Sequence, residues 1–329
     1  CLNFLSATVN HDNTLISSFE QNSLGQLLNT SSPDEGEANF KYRKDGQIRF
    51  SQNSKQKDPN GDGNFTDEEF SYTNYDDFGR PVQSGVSKGN FENLNPDDWN
   101  FPLLSAFEQH YTNYDYLLNP NELSTIGAPL EYRNPSFLSG NVAKTSNTDA
   151  NGVTISSTYY SYDIYGRVEW LVQNIAGLGI KTIEHVYDPV TSEVLEVVYQ
   201  KNMPSEKFIH KYKYNPFGQL IKVTTSTDGV NYTTHAEYEY KETGEVKRLE
   251  LAHGLQGIDY VYNVAGQLKA INHPSLSANL DPGGDSNDLF GMTIDYYNGD
   301  YKRNLDFSLI TSGTNQYNGN IKGITSKTN

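Results

Sequence analysis

The stretch YYSYDIYGRV at residues 159–168 decides the fold, because it is one copy of a pattern that recurs along the chain. Tyr160 and Tyr162 lie two residues apart, which places both rings on one face of a β-strand. Asp163 can accept a bond from the backbone two residues on and so start a turn. Gly166 supplies the left-handed conformation that closes the turn. The stretch therefore predicts a strand, a tight turn and a returning strand.

The turn position of this pattern recurs in the second half of the chain at steps of 26, 26, 26 and 22 residues. The residues at that position are Gly166, Ser192, Gly218, Gly244 and Gly266. About 26 residues hold two strands of about eight residues and two turns of about four to five. Such a period is typical of a repeat architecture. Each repeat is therefore predicted to be one β-hairpin.

Weaker copies of the pattern begin upstream at Gln21, Phe40 and Phe70, and helical periodicity is hard to find. Between them and the regular copies, the segment at 90–123 contains two Asn-Pro pairs and lacks the pattern. The sequence therefore predicts an all-β chain with three regions. These are hairpins with a calcium-like loop at 1–90, an irregular excursion with a short helical turn at 91–150, and regular hairpins at 151–329.

The composition indicates a folded, acidic protein. The chain has 24 Tyr and 15 Phe among 329 residues, whereas disordered chains are poor in aromatic residues. Its formal net charge is −16, which argues against nucleic acid and against an anionic membrane surface as partners. No apolar run approaches the ~20 residues that a membrane helix needs. These features fit a protein that is secreted or lies at a cell surface.

The chain has one cysteine, Cys1, so no disulfide can form within it. A cysteine at the first position can be a lipid-modified residue that remains after signal cleavage. The alternative is that the chain is a fragment that begins there. Apolar Leu2, Phe4 and Leu5 follow at once in place of a polar tether, which favours the fragment.

The segment KDPNGDGNFTDEEF at 57–70 matches the spacing of a calcium-binding loop. The predicted oxygen ligands are Asp58, Asn60, Asp62, Asn64 and Glu69. Gly63 falls at the sharp turn that such loops need. Because the flanking segments predict strands and not paired helices, we expect a hairpin loop that Ca²⁺ stabilises without chemistry. The alternative is an ordinary turn, since turns are rich in Asn, Asp and Gly.

Motifs that support catalysis are missing from the sequence, which predicts that the chain is not an enzyme. Its seven histidines form no His-Glu-x-x-His pattern, and there is no Gly-x-Ser-x-Gly elbow and no P-loop. His185 and His210 precede strand tyrosines, so we expect each to have a cross-strand partner. Most tyrosines are expected to pack within the sheet, although they could also form a sugar-binding surface.

The motifs YDIYGR at 162–167 and YDDFGR at 75–80 resemble the YD repeat of bacterial Rhs (rearrangement hotspot) proteins. This repeat also occurs in teneurins and in the shell subunits of insecticidal toxin complexes. The resemblance covers roughly residues 20–82 and 155–325. It implies that the hairpins join edge to edge into a long antiparallel sheet, which spirals into part of a hollow shell.

Shells of this family enclose a C-terminal effector, usually a toxin. The resemblance therefore implies a non-enzymatic segment of a longer parent chain that encapsulates or presents such an effector. Secretion or surface proteins are further expected partners, and the location is outside the cell or at the bacterial surface. The alternative is an adhesion or glycan-binding module of the teneurin-like kind. A shell needs a cavity for a polypeptide, whereas an adhesin needs an exposed aromatic patch.

In several relatives an aspartate protease motif of the form DPxGL releases the effector. Here Asp281-Pro282-Gly283-Gly284 is followed by Asp285 and departs from that form. The segment also lies in a polar loop before further strands. We therefore expect it to be a turn and not a protease motif.

Overall fold

The computed structural model describes residues 7–9, 16–98, 101, 106–285, 288–300 and 313–329. The two alternatives for Cys1 lie outside these residues. The chain divides into two compact units, Cys1–Thr182 and Ile183–Asn329, and the division falls within one strand. The boundary between the two units, after Thr182, does not coincide with a boundary of the three predicted regions.

The first unit is a meander in which each strand pairs antiparallel with the next strand along the chain. Its strands are β1 (Ala7–Val9), β2 (Ile16–Gln21), β3 (Leu27–Ser32), β4 (Gly36–Tyr42), β5 (Ile48–Asn53), β6 (Glu69–Tyr75), β7 (Pro81–Lys88), β8 (Ala106–Tyr114), β9 (Val142–Thr148), β10 (Thr154–Tyr162) and β11 (Val168–Ile175). The strand that contains the division is β12 (Gly179–Tyr187).

The second unit is also an antiparallel meander from β12 onward. Its remaining strands are β13 (Val194–Tyr199), β14 (Phe208–Tyr214), β15 (Leu220–Ser226), β16 (Thr233–Tyr240), β17 (Val246–Leu251), β18 (Gln256–Tyr262), β19 (Leu268–Ile271), β20 (Phe290–Asp295) and β21 (Gly323–Thr328). The predicted all-β fold of repeated antiparallel hairpins is confirmed.

Helical structure among the described residues is confined to single turns. They are α1 (Ser54–Lys57), α2 (Glu122–Thr125) and three 3₁₀ turns at Phe65–Asp67, Phe91–Asn93 and Leu130–Tyr132. Within the described part of the chain, no helix has the length and apolar character needed to cross a membrane.

The predicted excursion at 91–150 is less irregular than its sequence indicates. It contains β8 and β9, and β8 pairs with β7 on one side and β9 on the other. The repeat pattern does not predict β8 and β9, because the segment between them is long and includes α2 and a 3₁₀ turn. No tight turn therefore marks this hairpin. The excursion therefore consists of two shorter segments, which join β7 to β8 and β8 to β9.

Both joining segments cover the sheet of the first unit and form its core. Phe91 packs in an aromatic cluster with Phe50, Phe70 and Tyr72, and the Phe101 ring lies 5.0 Å from that of Phe50. These rings are large apolar surfaces whose removal from water stabilises the fold.

A second core cluster lies under the segment between β8 and β9. Leu123 and Tyr132 from that segment pack against Tyr159, Trp170 and Val172 of β10 and β11. On β10, Tyr159 faces this core, whereas the rings of Tyr160 and Tyr162 stack on the opposite face with centroids 6.4 Å apart. The predicted shared face of Tyr160 and Tyr162 is therefore confirmed.

The repeated turns share one backbone geometry. The register shifts by one residue just before each turn, so that Ser161 pairs with Trp170 but Tyr162 pairs with Val168. This is a β-bulge, which bends the strand and redirects the last tyrosine. Gly166 closes its turn at φ +77°, and Ser192 takes the same left-handed conformation at φ +66°. The sequence position assigned to the missing glycine is therefore correct, and its backbone is strained.

Candidate functional site

The predicted calcium loop at 58–69 lies between a helical turn and a strand. We expected a strand before the loop, but Ser54–Lys57 form the helical turn α1. The physical reason is a capping box in which the Asn53 side chain accepts from Gln56 N and the Gln56 side chain accepts from Asn53 N. After the loop, β6 begins at Glu69 as expected.

The first half of this loop is held by its own side chains. The Asp58 carboxylate accepts from the backbone N–H of Asp62 at 3.1 Å and of Gly63 at 3.0 Å. Asn60 Oδ1 also accepts from Asp62 N at 3.1 Å, and Asp62 Oδ1 accepts from Asn64 N at 2.7 Å. These bonds organise the oxygen-rich half of the loop without an ion.

Glu69, the predicted bidentate ligand, points its carboxylate toward a cation of the sheet, with Oε1 3.7 Å from Lys88 Nζ. Among the described residues, the carboxylates of Asp58, Asp62 and Glu69 do not bring ligand atoms within 4.8 Å of one another. The three carboxylates of the loop therefore do not converge, and calcium binding there stays a prediction.

A different group of carboxylates does converge, in the second unit. One oxygen from each of Asp259, Asp281 and Asp285 lies within 4.8 Å of the others. Asp259 is on β18, whereas Asp281 and Asp285 belong to the polar loop between β19 and β20. Asp288 follows in the same loop, and its charge interaction with Asp281 places it beside the group. We call these four residues the acidic pocket.

Arg248 on β17 supplies the positive charge of the acidic pocket. Its Nη1 pairs with Asp259 Oδ2, and its Nη2 lies 2.7 Å from Asp285 Oδ2 and 2.8 Å from Glu250 Oε2. Among the residues that the structure describes, Asp281 and Asp288 have no ion-pair partner. One guanidinium therefore serves several carboxylates.

Two glycines let the backbone approach this ion pair. A Cβ on Gly283 would lie 2.0 Å from Arg248 Nη1 and 2.2 Å from Asp259 Oδ2. A Cβ on Gly257 would lie 2.0 Å from Arg248 Nη2. Neither glycine has a positive φ, so each is required for space and not for backbone conformation.

The Asp281-Pro282-Gly283-Gly284 segment is a turn, as expected. Asp281 Oδ2 accepts from the backbone N–H of Gly283 and of Gly284, both at 2.8 Å. These bonds hold one oxygen of the carboxylate and leave the other, Oδ1, buried without a hydrogen-bond partner. The turn therefore has a second role, since it delivers Asp281 into the acidic pocket.

Burial shifts the protonation of the acidic pocket. Burial raises the pKa of Asp259 to about 6, against the opposing charge of Arg248. Burial and the neighbouring charge of Asp281 raise the pKa of Asp288 to about 7, and burial also raises the pKa of Asp281. Carboxyl oxygens can bond to one another only if one of them carries a proton. Without a further cation, the pocket therefore retains protons near neutral pH.

Several of the repeated turns contain a paired side-chain code that the sequence motifs did not indicate. In two turns the first residue is Asp and the fifth is Arg, and Arg80 Nε donates to Asp76 Oδ2 at 2.7 Å. Where the first is Asn, the fifth is Gln, and Asn215 Nδ2 donates to Gln219 Oε1 at 2.7 Å. Arg167 belongs to this code through its bond to Asp163, so it ends the turn and does not begin the return strand.

Tyrosines at the ends of strands link each hairpin to an earlier one. Their hydroxyls donate to the carbonyl of the first residue of an earlier return strand, at 2.8–3.1 Å. These hairpin-linking tyrosines and their acceptors are Tyr75 to Ile48, Tyr114 to Pro81, Tyr162 to Val142, Tyr214 to Val194, Tyr240 to Leu220 and Tyr296 to Leu268. A polar bond therefore repeats at equivalent positions between hairpins, beyond the packing that we expected.

The two strand histidines take part in ring stacks. The ring of His185 stacks on Tyr187, two residues along its own strand, at 6.1 Å. His210 stacks on Tyr212 at 6.1 Å and also meets Tyr199 of the neighbouring strand at 5.9 Å. The expected cross-strand partner is thus observed for His210, whereas the stacking partner of His185 is on the same strand. Burial lowers the pKa of both rings.

Two of the larger clefts of the first unit lie at the turns. Their volumes are about 490 and 530 Å³, and both include Asp76 in their walls. In the first of them, Arg80 already bridges Asp76 and Asp115, with 2.7 Å to each carboxylate. These charged side chains hold the turns together, and this structural role explains why they lie in the cleft.

No protein-family model matches the sequence, and no curated protein matches it. Among solved structures, TcdB2-TccC3 without its hypervariable C-terminal region is similar at 14% identity and a TM-score of 0.53, over 85% of this chain and 12% of that chain. A TcdB2-TccC3-TEV structure has a TM-score of 0.37 at 14% identity, over 89% of this chain and 16% of that chain. The Tc holotoxin pore of Photorhabdus luminescens has a TM-score of 0.34 at 14% identity, over 86% and 15%.

Only the first of these three likenesses is strong enough to support an argument, and at this identity it concerns the fold alone. The chain shares its hairpin fold with part of TcdB2-TccC3 and spans 12% of the length of that chain. The fold that the sequence motifs predicted is therefore found in a much longer protein.

Proposed function

We propose that this chain is a non-enzymatic segment of a β-shell of the Rhs type, part of a longer parent protein that encloses or presents a C-terminal effector. The observation that carries the proposal is the set of hairpin-linking tyrosines. Each one donates to a backbone carbonyl of an earlier hairpin at 2.8–3.1 Å. A bond that recurs at six strand ends is a structural element of a wall, whereas a catalytic group occurs once.

The turns add a second set of links in the same direction. The Gln47 side chain donates to Gly79 O at 2.7 Å, and the Gln219 side chain donates to Gly244 O at 3.2 Å. In each case the last residue of one turn binds the turn glycine of a later hairpin. Strand edges, turns and tyrosines thus all join neighbouring hairpins, which is the construction that a continuous sheet requires.

The likeness to TcdB2-TccC3 supports the same proposal. That protein has a hypervariable C-terminal region, and its fold resembles this chain over 85% of the chain's length. A shell that holds a C-terminal effector accounts for both the fold and the share of a longer protein that the chain would occupy. We further propose that the parent protein is secreted or displayed at the bacterial surface, with secretion or surface proteins as partners.

Apolar side chains at the turn tips support contact with further protein. Phe78 is 84% exposed in the first unit, and Phe217 and Val264 are 87% and 104% exposed in the second. Phe78 and Phe217 lie immediately before the turn glycine, and Val264 lies one residue earlier in its turn. Single exposed apolar residues are common, but a set that recurs at the turn tips is typical of a surface that another part of the protein covers.

The test is protease protection of the effector in the parent protein. We expect the polypeptide downstream of the shell to survive a protease that cuts the same polypeptide rapidly when it is expressed alone. Tyr214→Phe with Tyr240→Phe should open the wall and shorten the survival, whereas Tyr165→Phe at an exposed turn tip should not. Equal cleavage of the enclosed and the free polypeptide would contradict the proposal, and a bound glycan or receptor on the shell surface would then favour the adhesin.

A further inference from the structure

We propose that the acidic pocket of Asp259, Asp281, Asp285 and Asp288 binds a hard divalent cation, Ca²⁺, which fixes the loop between β19 and β20 to β17 and β18. The pocket has no calcium-loop spacing in the sequence, and it is distinct from the loop at 58–69. Three observations carry the proposal: the charge balance, the free oxygens and the distances between the ligand atoms.

The charge balance leaves a place for a cation when the carboxyls are ionised. Asp259, Asp281 and Asp288 are 4%, 5% and 3% exposed. Their one ion-pair partner among the described residues is Arg248, which also binds Asp285 and Glu250. A buried carboxylate without a matching charge is costly, and proteins resolve the cost by protonation, pairing or metal coordination. A divalent cation would neutralise the two carboxylates that Arg248 does not reach.

The free oxygens provide the independent sign of a ligand. Asp281 Oδ1, Asp285 Oδ1 and Asp288 Oδ2 are buried, and while the carboxyls are ionised these oxygens meet no hydrogen-bond donor among the described residues. Asp281 Oδ1 is free because Gly283 and Gly284 hold Oδ2, and Asp285 Oδ1 is free because Arg248 holds Oδ2. Asp288 does not belong to the group of Asp259, Asp281 and Asp285, whose oxygens lie within 4.8 Å of one another. Its buried Oδ2 nevertheless lies beside Asp281. Buried polar atoms normally have a partner.

The distances fit calcium. One oxygen each from Asp259, Asp281 and Asp285 lies within 4.8 Å of the others. Oxygens that share a Ca²⁺ at about 2.3–2.6 Å lie at most about 5 Å apart. The ligands are all carboxylate oxygens, which favours a hard cation such as Ca²⁺ over metals that prefer nitrogen or sulfur.

The experiment is calorimetric titration of the whole chain with CaCl₂ after treatment with a chelator, in three forms. Wild type should bind Ca²⁺ and unfold at a higher temperature in its presence. Asp281→Asn, which keeps the shape and removes the charge, should weaken binding at the pocket at least about tenfold. The matched control Asp62→Asn changes the loop at 58–69 and should leave the pocket's heat unchanged.

Two results would overturn the proposal. One is a wild-type chain that takes up no Ca²⁺ at millimolar concentration. The other is an Asp281→Asn chain that folds and binds Ca²⁺ as tightly as wild type. If that variant does not fold, crystals of the wild-type chain soaked in Mn²⁺ decide the question. We expect an anomalous peak beside Asp281 Oδ1, and a crystal without one contradicts the site.

Discussion

The loop at 58–69 and the acidic pocket are both rich in carboxylates, but they differ in how the chain uses them. In the loop, Asp58 is half-buried and Asp62 is exposed, and both accept bonds from backbone N–H groups of the same loop. In the pocket, Asp281 and Asp288 are buried and each retains an oxygen without a partner. The positions of the loop carboxylates can be read from the spacing of the sequence. The acidic pocket forms only when the tertiary fold brings its residues together.

The difference shows that ligand spacing and ligand convergence are separate properties. A loop can place oxygens at regular positions and satisfy them by itself, so that it needs no ion to keep its shape. A buried group gathered from two distant segments cannot satisfy its own charge. Substitutions in the loop and in the pocket should therefore differ in their effect on stability.

A third group of buried charges sharpens the contrast, because it already has its cation. Lys269 is 0% exposed, and its Nζ lies 2.5 Å from Asp295 and 2.9 Å from Asp300. Lys269→Met would remove the buried cation that both carboxylates contact and should lower the free energy of unfolding by about 3–5 kcal/mol. Urea denaturation measures this loss.

The matched control for Lys269 is Lys247, an exposed lysine whose Nζ lies 3.0 Å from Glu239. Lys247→Met should cost about 0–1 kcal/mol, since exposed ion pairs contribute little. If the two variants lose equal stability, burial does not determine the cost of an unpaired charge in this fold.

Glycine substitutions compare the two regions directly. Gly283→Ala places a Cβ 2.0 Å from Arg248 Nη1 in the pocket and should cost about 2–3 kcal/mol through overpacking and loss of the ion pair. Gly61→Ala in the loop meets no atom within 4 Å, but its φ is +73°. It should cost about 1 kcal/mol from backbone strain alone. Thermal unfolding ranks the two, and a larger loss for Gly61→Ala would contradict the close approach at the pocket.

The pH dependence of stability should carry the signature of the pocket. The pKa values of Asp259 and Asp288 are about 6 and about 7 in the folded chain, above the usual value of 3.8. The folded state therefore binds more protons than the unfolded state between these values. Their stabilising contribution is complete below pH 4 and is lost as the pH rises toward 7. With a chelator present, stability should therefore fall measurably between pH 4 and pH 7.

The variant Asp288→Asn isolates that effect. Its stability should fall less than that of wild type between pH 4 and pH 7. His185 and His210 act in the opposite sense, since burial lowers their pKa and their contribution is lost as the pH falls below about 6.5. They are present in both proteins, so they cancel in the comparison. Identical pH profiles for the two proteins would exclude a raised pKa at Asp288.

The smallest effect is expected in the loop. Asp58→Ala removes the acceptor of two backbone N–H groups, at 3.1 and 3.0 Å. Since both donors are exposed to water, the loss should be about 0.5–1 kcal/mol with a chelator present. Asp34→Ala in another exposed turn is the control and should change stability by less than about 0.5 kcal/mol. A loss above that of Gly283→Ala would reverse the contrast between loop and pocket.

The hairpins could be predicted from the sequence because their chemistry is local. A strand tyrosine, an Asp or Asn and a glycine lie within a few residues of one another, so one segment contains all the information. Even the exception was predictable, since Ser192 takes the left-handed conformation that its place in the pattern requires. The helical turn α1 was missed, although the Asn53 and Gln56 pair is a signal for it.

The bonds between hairpins could not be predicted in the same way. A hairpin-linking tyrosine such as Tyr240 finds its acceptor 20 residues earlier, at Leu220. The one available signal was that the residue before the turn is so often Tyr and not Phe, which indicates a use for the hydroxyl. β8 and β9 were missed because a long segment separates them.

The acidic pocket was beyond sequence reasoning. Arg248 and Asp259 come from paired strands, whereas Asp281, Asp285 and Asp288 come from a loop that folds back onto them. Nothing in the spacing of these residues matches a known ligand pattern. Their convergence depends on Gly257 and Gly283, where a side chain would collide with Arg248. The sequence alone does not show which residues pack against a glycine.

The central claim is that the chain forms part of a wall around another polypeptide, and electron cryomicroscopy of the parent protein tests it most directly. Maps should be compared for the parent protein with and without the polypeptide that follows the shell. We expect a closed wall of hairpins in both maps, with interior density only when the polypeptide is present. An open sheet, or a closed wall with an identical interior in both maps, would contradict it.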